Sequence, residues 1–221
     1  MPGKQTIYPF VVSMTGTEWD AIINNLNGSE QMPDSMLNQL LKKSLVVLNE
    51  AHKPRLYDPV AECVRFVSLA KAVAAVECPS AVENSSAINI FFLENRHMVA
   101  TRQLDGSRVD FMLSEADETP LELLMILAQE ATSPGECREE FLPDEKLPPE
   151  LLDQSIPLFR ITLQLENVPN SQKVFALMPR NGGGCWLFRS HSLGARQGSS
   201  TAMLDRLRGY LTSELEQIKK H

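Results

Sequence analysis

The sequence predicts an α+β fold in which an antiparallel β-sheet, built from two meander or hairpin units, is flanked by helices. Several short segments alternate apolar and polar residues, which is the period of a strand with one buried face. Other segments carry apolar residues three and four positions apart, as amphipathic helices do. A run of strands followed by a helix occurs twice, at residues 88–131 and 159–218, although the side chains do not repeat. Each unit buries its apolar surfaces by packing a helix on a sheet.

The first predicted helix covers residues 17–26 and has one apolar stripe. It starts either at Thr17 or at a capping box, in which the side chains of Thr15 and Glu18 each bind the backbone N–H of the other residue. Gly28 follows the last apolar position, as is typical of the end of a helix. The stripe consists of Trp19, Ile22, Ile23 and Leu26.

Two more helices are predicted before the sheet. The second helix starts at Asp34, and residues 45–48 and 55–57 follow it as two short strands. The third helix has Asp58 as its cap and Pro59 at its first position, where the missing proline N–H needs no partner. The predicted buried stripe of the third helix is Val60, Cys63, Val64, Val67 and Ala74.

The two units of the sheet are predicted from strict alternation and from turn residues. Residues 88–113 form a three-stranded meander with a hairpin turn at Asp105 and Gly106, and a helix opens at Pro120. In the second unit, residues 159–166 form a strand with one wet face. A hairpin of residues 173–178 and 185–190 and a helix from about Ser200 complete this unit.

The charge is distributed unevenly and divides the chain into parts. The formal net charge is −7, but residues 114–153 carry twelve acids against two bases, and the rest of the chain up to residue 221 carries four acids against nine bases. We therefore predict an N-terminal part over residues 1–133, an acidic, proline-rich linker over 134–157 and a basic C-terminal unit over 158–221, which together form one compact domain.

Composition excludes several classes of protein. The chain has 43% hydrophobic and 22% charged residues, which is neither a disordered nor a collagen-like composition. It has no apolar run long enough for a signal peptide or a membrane span, so we expect a cytoplasmic protein without membrane insertion. The net negative charge disfavours general nucleic-acid binding. The cysteines have no metal-binding spacing and are predicted to be free thiols: Cys63, Cys78, Cys137 and Cys185.

The residue types that carry catalysis are present, but they form no recognisable set. His97 and His191 lie in predicted ordered segments. Ser190 and Ser192 flank His191, but neighbouring side chains in an extended chain point apart, whereas a nucleophile and its base must face each other. The carboxylates between Glu115 and Asp153 lack the spacing of a calcium-binding loop. We therefore predict no catalytic, cofactor-binding or metal-binding residues, and no enzyme.

Two glycine-rich segments are candidates for anion binding. Residues 181–184 contain three consecutive glycines, and residues 194–201 lead into the last helix. Neither segment matches the phosphate-binding motifs of nucleotide-binding proteins, so a hairpin turn and a flexible loop with a helix cap are the favoured interpretations. Arg196, close to that helix, remains a candidate contact for an acidic partner.

A second function class is suggested by residues 34–58, where a helix is followed by two strands, as in the second half of a winged helix. The candidate phosphate contacts are Lys42, Lys43, Lys53 and Arg55. The sequence lacks a separate recognition helix of suitable polarity, and an apolar helix with two lysines is typical of a protein core. A DNA-binding regulator is therefore the alternative hypothesis.

The order of elements along the chain is distinctive. A short helix that runs into a Leu-Val strand at residues 37–46 is followed by a helix opened by the Leu-Tyr-Asp-Pro of residues 56–59. The meander of residues 88–113, the helix from Pro120 and the late hairpin with the apolar positions of residues 204–211 come next. This order resembles the EspG family of type VII (ESX) secretion chaperones, and the resemblance covers most of the chain and rests on no strict motif.

The resemblance implies a fold and a function. Members of that family have a central antiparallel sheet flanked by helical bundles, with approximate internal two-fold symmetry. They are cytosolic, are not enzymes and hold the exposed tip of helical secretion substrates until export. This chain is shorter than the family pattern, and no binding residues are carried over. The resemblance therefore implies a cofactor-free adaptor or chaperone for a helical export substrate, either the PE–PPE pair or a different helical-hairpin protein.

Overall fold

The strands of the computed structural model form a ten-stranded antiparallel sheet and a separate two-stranded hairpin. The structure describes residues 11–26, 31–78, 86–93, 96–103, 105–113, 120–148, 156–166 and 168–220. The strands are β1 (Val11–Met14), β2 (Val46–Leu48), β3 (Pro54–Leu56), β4 (Ala72–Glu77), β5 (Ser86–Leu93), β6 (Arg96–Gln103), β7 (Val109–Leu113), β8 (Glu140–Pro143), β9 (Phe159–Leu165), β10 (Lys173–Pro179), β11 (Cys185–Arg189) and β12 (Gly194–Gly198). The helices are α1 (Gly16–Leu26), α2 (Asp34–Lys42), α3 (Asp58–Leu69), α4 (Pro120–Ala131) and α5 (Ser200–Lys220).

The strand order of the large sheet repeats once. It is β1-β7-β6-β5-β4-β9-β10-β11-β12-β8, and all neighbouring strands are antiparallel. Each half is a four-stranded meander, β4–β7 in the first half and β9–β12 in the second. An edge strand from earlier in the chain, β1 or β8, pairs with the last strand of each meander. The first strands of the two meanders, β4 and β9, pair at the centre, with Ala74 opposite Leu163. The α+β fold with an internal repeat is thereby confirmed, and the repeat is larger than the sequence predicts.

Helices cover different faces of the two halves. Helices α4 and α5 share a core with the central strands, in which Phe159, Phe175 and Leu207 are fully buried. Helices α1, α2 and α3 share a second core with β1, β6 and β7. Strand β6 separates the two cores, since Val99 belongs to the first, and Met98 and Ala100 belong to the second. Because side chains alternate along a strand, α1–α3 lie on the face opposite α4 and α5.

The predicted helices and the predicted alternating strands are confirmed with small changes at their ends. The capping box is present: Thr15 Oγ1 accepts from the Glu18 N–H at 3.2 Å, and Glu18 Oε2 accepts from the Thr15 N–H at 2.8 Å. Asp58 is the first residue of α3 and Tyr57 is its cap. The meander over residues 88–113 is present as β5, β6 and β7.

Strand β4 was not predicted, and Ala74 was wrongly assigned to the stripe of the third helix. Helix α3 ends at Leu69, and Ala74 lies in the middle of β4, where it is fully buried. The segment is rich in alanine, which favours helices, and it carries small apolar side chains on both faces, so the alternation of its burial does not show in its sequence. Tertiary pairing with β5 and β9 therefore decides its conformation.

Two further strands lie where loops were predicted. Gly194–Gly198, interpreted as part of a flexible loop, is strand β12 and pairs with β11. Glu140–Pro143, inside the predicted linker, is edge strand β8 and pairs with β12. A 3-10 turn, Asp144–Lys146, follows β8. The division of the chain at residues 134–157 remains a prediction, but part of that segment belongs to the sheet.

Candidate protein-binding surface

The structure separates the two histidines that were considered for catalysis. His97 is buried in β6, where it lies opposite Phe92 of β5. His191 is exposed in the turn between β11 and β12, in a left-handed conformation with φ of 62°. The Ser190 hydroxyl accepts a hydrogen bond from the Val174 N–H at 2.9 Å and so binds the backbone of β10. The two histidines therefore lie in different environments and do not form one site with a serine.

The buried cysteines have the properties of core residues. Burial raises the pKa of the Cys63 thiol to about 12 and that of the Cys185 thiol to about 11. A thiol is nucleophilic as the thiolate, so these pKa values describe groups that are protonated and unreactive at neutral pH. No group of three or more potential metal ligands occurs in the part of the chain that the structure describes.

The glycines at positions 182–184 form the turn of a hairpin. Their φ angles are all positive, between 75° and 99°, and the Gly183 N–H donates to the Arg180 carbonyl. The chain of residues 133–139 crosses this turn, and a Cβ on Gly184 would lie 2.3 Å from the Gly198 carbonyl oxygen. Conformation and close packing therefore account for these glycines.

The acidic middle of the chain pairs with arginines of the basic last part. Glu122 of α4 contacts Arg208 of α5 at 2.7 Å. Glu139 contacts Arg206 at 2.8 Å and Arg196 at 3.7 Å. The uneven charge of the sequence thus corresponds in part to mutual attraction between segments that are neighbours in the fold.

The basic residues of the winged-helix hypothesis are partly compensated by acids. Lys43 contacts the buried carboxylate of Glu18 at 2.7 Å, and Arg55 contacts Asp58 at 2.6 Å. Helix α2 packs into the second core through Leu40, which is fully buried. Strands β2 and β3 do form the predicted hairpin. The positive charge of this region is therefore smaller than its sequence suggests.

A groove lies on the α5 face of the sheet beside edge strand β8, and we call it the α5–β8 groove. It is open to solvent and has a volume of about 370 Å³. It is lined by Phe141, Lys173, Leu187, Arg189, Ser190, His191, Ser192, Gly194, Arg196 and Tyr210. Of the candidates from the sequence, the structure brings His191, its two flanking serines and Arg196 into this groove.

A second open depression lies at one end of the central strands. It has a volume of about 630 Å³ and is lined by the end of α3 and by residues after β9. Leu69 and Val168 are exposed there, and Lys71 and Glu166 contribute opposite charges. This depression is wider than the α5–β8 groove and has no excess of one charge.

The chain is similar to known proteins in structure but not in sequence. No family model matches the chain, and no curated protein sequence is significantly similar. The chaperone EspG5 of the Mycobacterium tuberculosis type VII secretion system, solved in complex with the PE25–PPE41 dimer, superimposes with a TM-score of 0.61 at 9% sequence identity. The match covers 90% of this chain and 93% of the EspG5 chain. The chain has an EspG-like fold.

The EspG-like fold confirms the resemblance that the order of elements suggested, at the level of the fold. In the described residues, no helix combines the length and apolar character needed to cross a membrane. Sequence reasoning missed most of the α5–β8 groove, because Lys173, Arg189 and Tyr210 come from three elements that only the tertiary structure brings together. The one signal in the sequence was the excess of basic residues in the last part of the chain.

Proposed function

We propose that the protein is a chaperone or adaptor that binds a helical protein partner, a substrate of type VII secretion. The observation that carries the proposal is the match of nearly the whole chain to nearly the whole of EspG5, which was solved with the PE25–PPE41 dimer bound. A fold alone hosts many functions, so the proposal also needs a suitable surface. The protein would act in the cytoplasm, before the partner is exported.

The described surface supports binding rather than catalysis. Apolar side chains are exposed beside fixed charges in the α5–β8 groove, and such a combination of apolar contact and charged rim is typical of protein interfaces. Three potential nucleophiles are poorly suited to reaction. The thiols of Cys63 and Cys185 are buried and have raised pKa values, and the Ser190 hydroxyl accepts a hydrogen bond from the backbone. These features support a non-enzymatic role for the protein.

Co-expression with candidate partners tests this function. The protein should be produced together with each helical-hairpin protein encoded beside its gene, and the mixtures should be separated by size exclusion. We expect one of these proteins to elute with the chain as a stable complex, and an unrelated helical hairpin of the same length to elute separately. Failure to form a complex with any neighbour, PE–PPE pairs included, would contradict the proposal.

A further inference from the structure

The α5–β8 groove concentrates positive charge in a protein whose net charge is negative. Lys173, Arg189 and Arg196 line it, together with His191. Among the described residues of the lining there is no carboxylate, whereas the whole chain carries a formal charge of −7. The formal charge of the lining side chains is therefore opposite in sign to that of the molecule as a whole.

The cations of the groove are held in place by buried and aromatic partners. Glu214 of α5 is 4% exposed and accepts hydrogen bonds from Lys173 Nζ and, at 3.3 Å, from Arg189 Nη2. The Arg189 guanidinium also lies over the ring of Tyr210, at 5.1 Å from the centroid. One carboxylate thus orients two cations, which leaves a net positive charge. Side chains that are already ordered lose less conformational entropy when a partner binds.

Arg196 is positioned in the same way at the edge of the sheet. It lies in β12 directly opposite Phe141 of β8, and its guanidinium is 5.6 Å from the centroid of the Phe141 ring. Glu139 is its nearest acid, at 3.7 Å, and that carboxylate is closer to Arg206. The N–H groups of Arg196 therefore remain suited to a bidentate contact with a further carboxylate.

An exposed aromatic side chain borders these cations. Phe141, on the edge strand, is 44% exposed, and Leu187 is a buried apolar part of the groove lining. The groove therefore offers a partner an apolar contact beside fixed charges, a combination that is typical of protein interfaces.

We propose that the α5–β8 groove binds an acidic segment of a partner protein that also presents an apolar side chain. Carboxylates of the segment bind Arg189 and Arg196, and the apolar side chain packs against Phe141. The nature of the partner as a protein rests on the proposed function. A nucleic acid fits less well, because the Tyr210 ring already contacts the Arg189 guanidinium and stacks on Phe175, which leaves Phe141 as the one phenylalanine or tyrosine ring of the described groove lining available to stack on a base.

Peptide binding tests the chemistry of the groove. The probe is a fluorescein-labelled 15-residue helical peptide with two leucines four positions apart and two glutamates on the same face. Its control has glutamine in place of both glutamates, so that no residue of the protein changes. We expect the glutamate peptide to bind at least tenfold more tightly in fluorescence anisotropy, and the preference to weaken as salt is added. Equal affinity for the two peptides would overturn the proposal.

Protein variants assign the effect to the groove. The double substitution Arg189→Gln and Arg196→Gln should remove the preference for the glutamate peptide. The single substitution Arg196→Gln should remove most of it. The matched control is Arg102→Gln, since Arg102 has the same 45% side-chain exposure as Arg189 and also pairs with a carboxylate, that of Asp20. Thermal unfolding identifies any variant that fails to fold. A preference that survives in the folded double variant, or tighter binding of a labelled single-stranded oligonucleotide, would overturn the proposal.

The same double variant distinguishes failure of this inference from failure of the proposed function. If a neighbouring protein elutes equally with the wild type and with the double variant, the groove assignment is wrong and the chaperone function stands. If no neighbouring protein elutes with the wild type, but the glutamate peptide binds the groove, the assignment of secretion substrates is wrong and the chemistry of the groove stands.

Discussion

The two halves of the sheet have the same strand order but different surroundings. In the first half, residues 15–71 lie between the edge strand β1 and the meander, and they supply α1, α2 and α3, which cover one face of the sheet. In the second half, residues 144–158 fill the same place in the order and supply one 3-10 turn among the described residues. Helices α4 and α5 cover one face of the sheet, and the opposite face is covered by α1–α3 only in the first half, since the described residues of the second half have no corresponding inserted helices.

The edges of the two halves also differ in charge. At the first edge, Asp110 of β7 pairs with Arg108 and accepts a hydrogen bond from Ser13 of β1, so the local charge is balanced. At the second edge, the corresponding strands carry Arg196 and the exposed Phe141. Both edges expose apolar side chains, since Val11 and Met112 face solvent at the first edge, so the difference between the edges lies in the positive charge that the second edge adds.

The largest expected effect compares two phenylalanines of the second half. Phe175 is fully buried under α5, and Phe141 is 44% exposed at the edge. Phe175→Ala should lower the free energy of unfolding by about 3–5 kcal/mol, since it removes apolar contacts and leaves a cavity. Phe141→Ala should lower it by less than about 1 kcal/mol. Urea unfolding measures both changes, and equal losses would contradict the distinction between core and contact surface.

The next effect concerns the helices that only the first half has. The carboxylate of Glu18 is buried in α1 and accepts hydrogen bonds from Gln39 Nε2 at 2.6 Å and from the Thr15 N–H, besides its ion pair with Lys43. Glu18→Ala should therefore cost about 2–3 kcal/mol of unfolding free energy, because several donors lose a charged acceptor.

The control for Glu18 is an exposed acid on the same helix. Asp20 has 51% of its side chain exposed and pairs with Arg102 at 3.2 Å. Asp20→Ala should change the free energy of unfolding by less than about 1 kcal/mol, as exposed ion pairs contribute little. A loss at Asp20 as large as the loss at Glu18 would show that burial of the Glu18 network is not what joins α1 to α2.

Several of the elements that the sequence predicted have one face exposed to solvent. Helices α1 and α5 and strand β9 have one apolar side, and their periodicity shows it directly. The missed strands lack that signal for different reasons. Strand β4 is central and alanine-rich, β1 and β8 have four residues each at the edges, and β12 begins and ends with glycine. These segments become strands because a neighbouring strand supplies their hydrogen-bond partners.

The candidate site was less predictable than the fold. Arg196 was recognised as a possible contact for an acidic partner, but its position over Phe141 depends on the pairing of two strands that were not predicted. Glu214 has no special context in the sequence, yet it orients Lys173 and Arg189 across the groove. A binding site made of side chains from separate elements is set by tertiary structure, which local periodicity does not describe.

Two turn glycines, one from each half, provide a further comparison. Gly106 and Gly184 have nearly the same φ, 72° and 75°, but only Gly184 is closely packed. Gly106→Ala should cost about 1 kcal/mol for the left-handed conformation alone. Gly184→Ala should cost about 1–3 kcal/mol more, because its Cβ would lie 2.3 Å from the Gly198 carbonyl oxygen. Equal losses in urea unfolding would contradict the close contact between the turn and β12.

The smallest effect is the pH dependence that Glu18 contributes. Burial raises the pKa of Glu18, but hydrogen bonds from Lys43, Thr15 and Gln39 outweigh burial and hold it below its ordinary value of 4.5. A carboxyl group whose pKa is lowered by folding stabilises the protein above its unfolded pKa, and this contribution is lost as pH falls through the lower, folded value. The stability difference between the wild type and Glu18→Gln should therefore be full at pH 7 and shrink below about pH 4.5. Urea unfolding at pH 7 and pH 3.5 measures it, with Asp20→Asn as the control, and a difference that grows on acidification would show that folding raises the pKa of Glu18 instead.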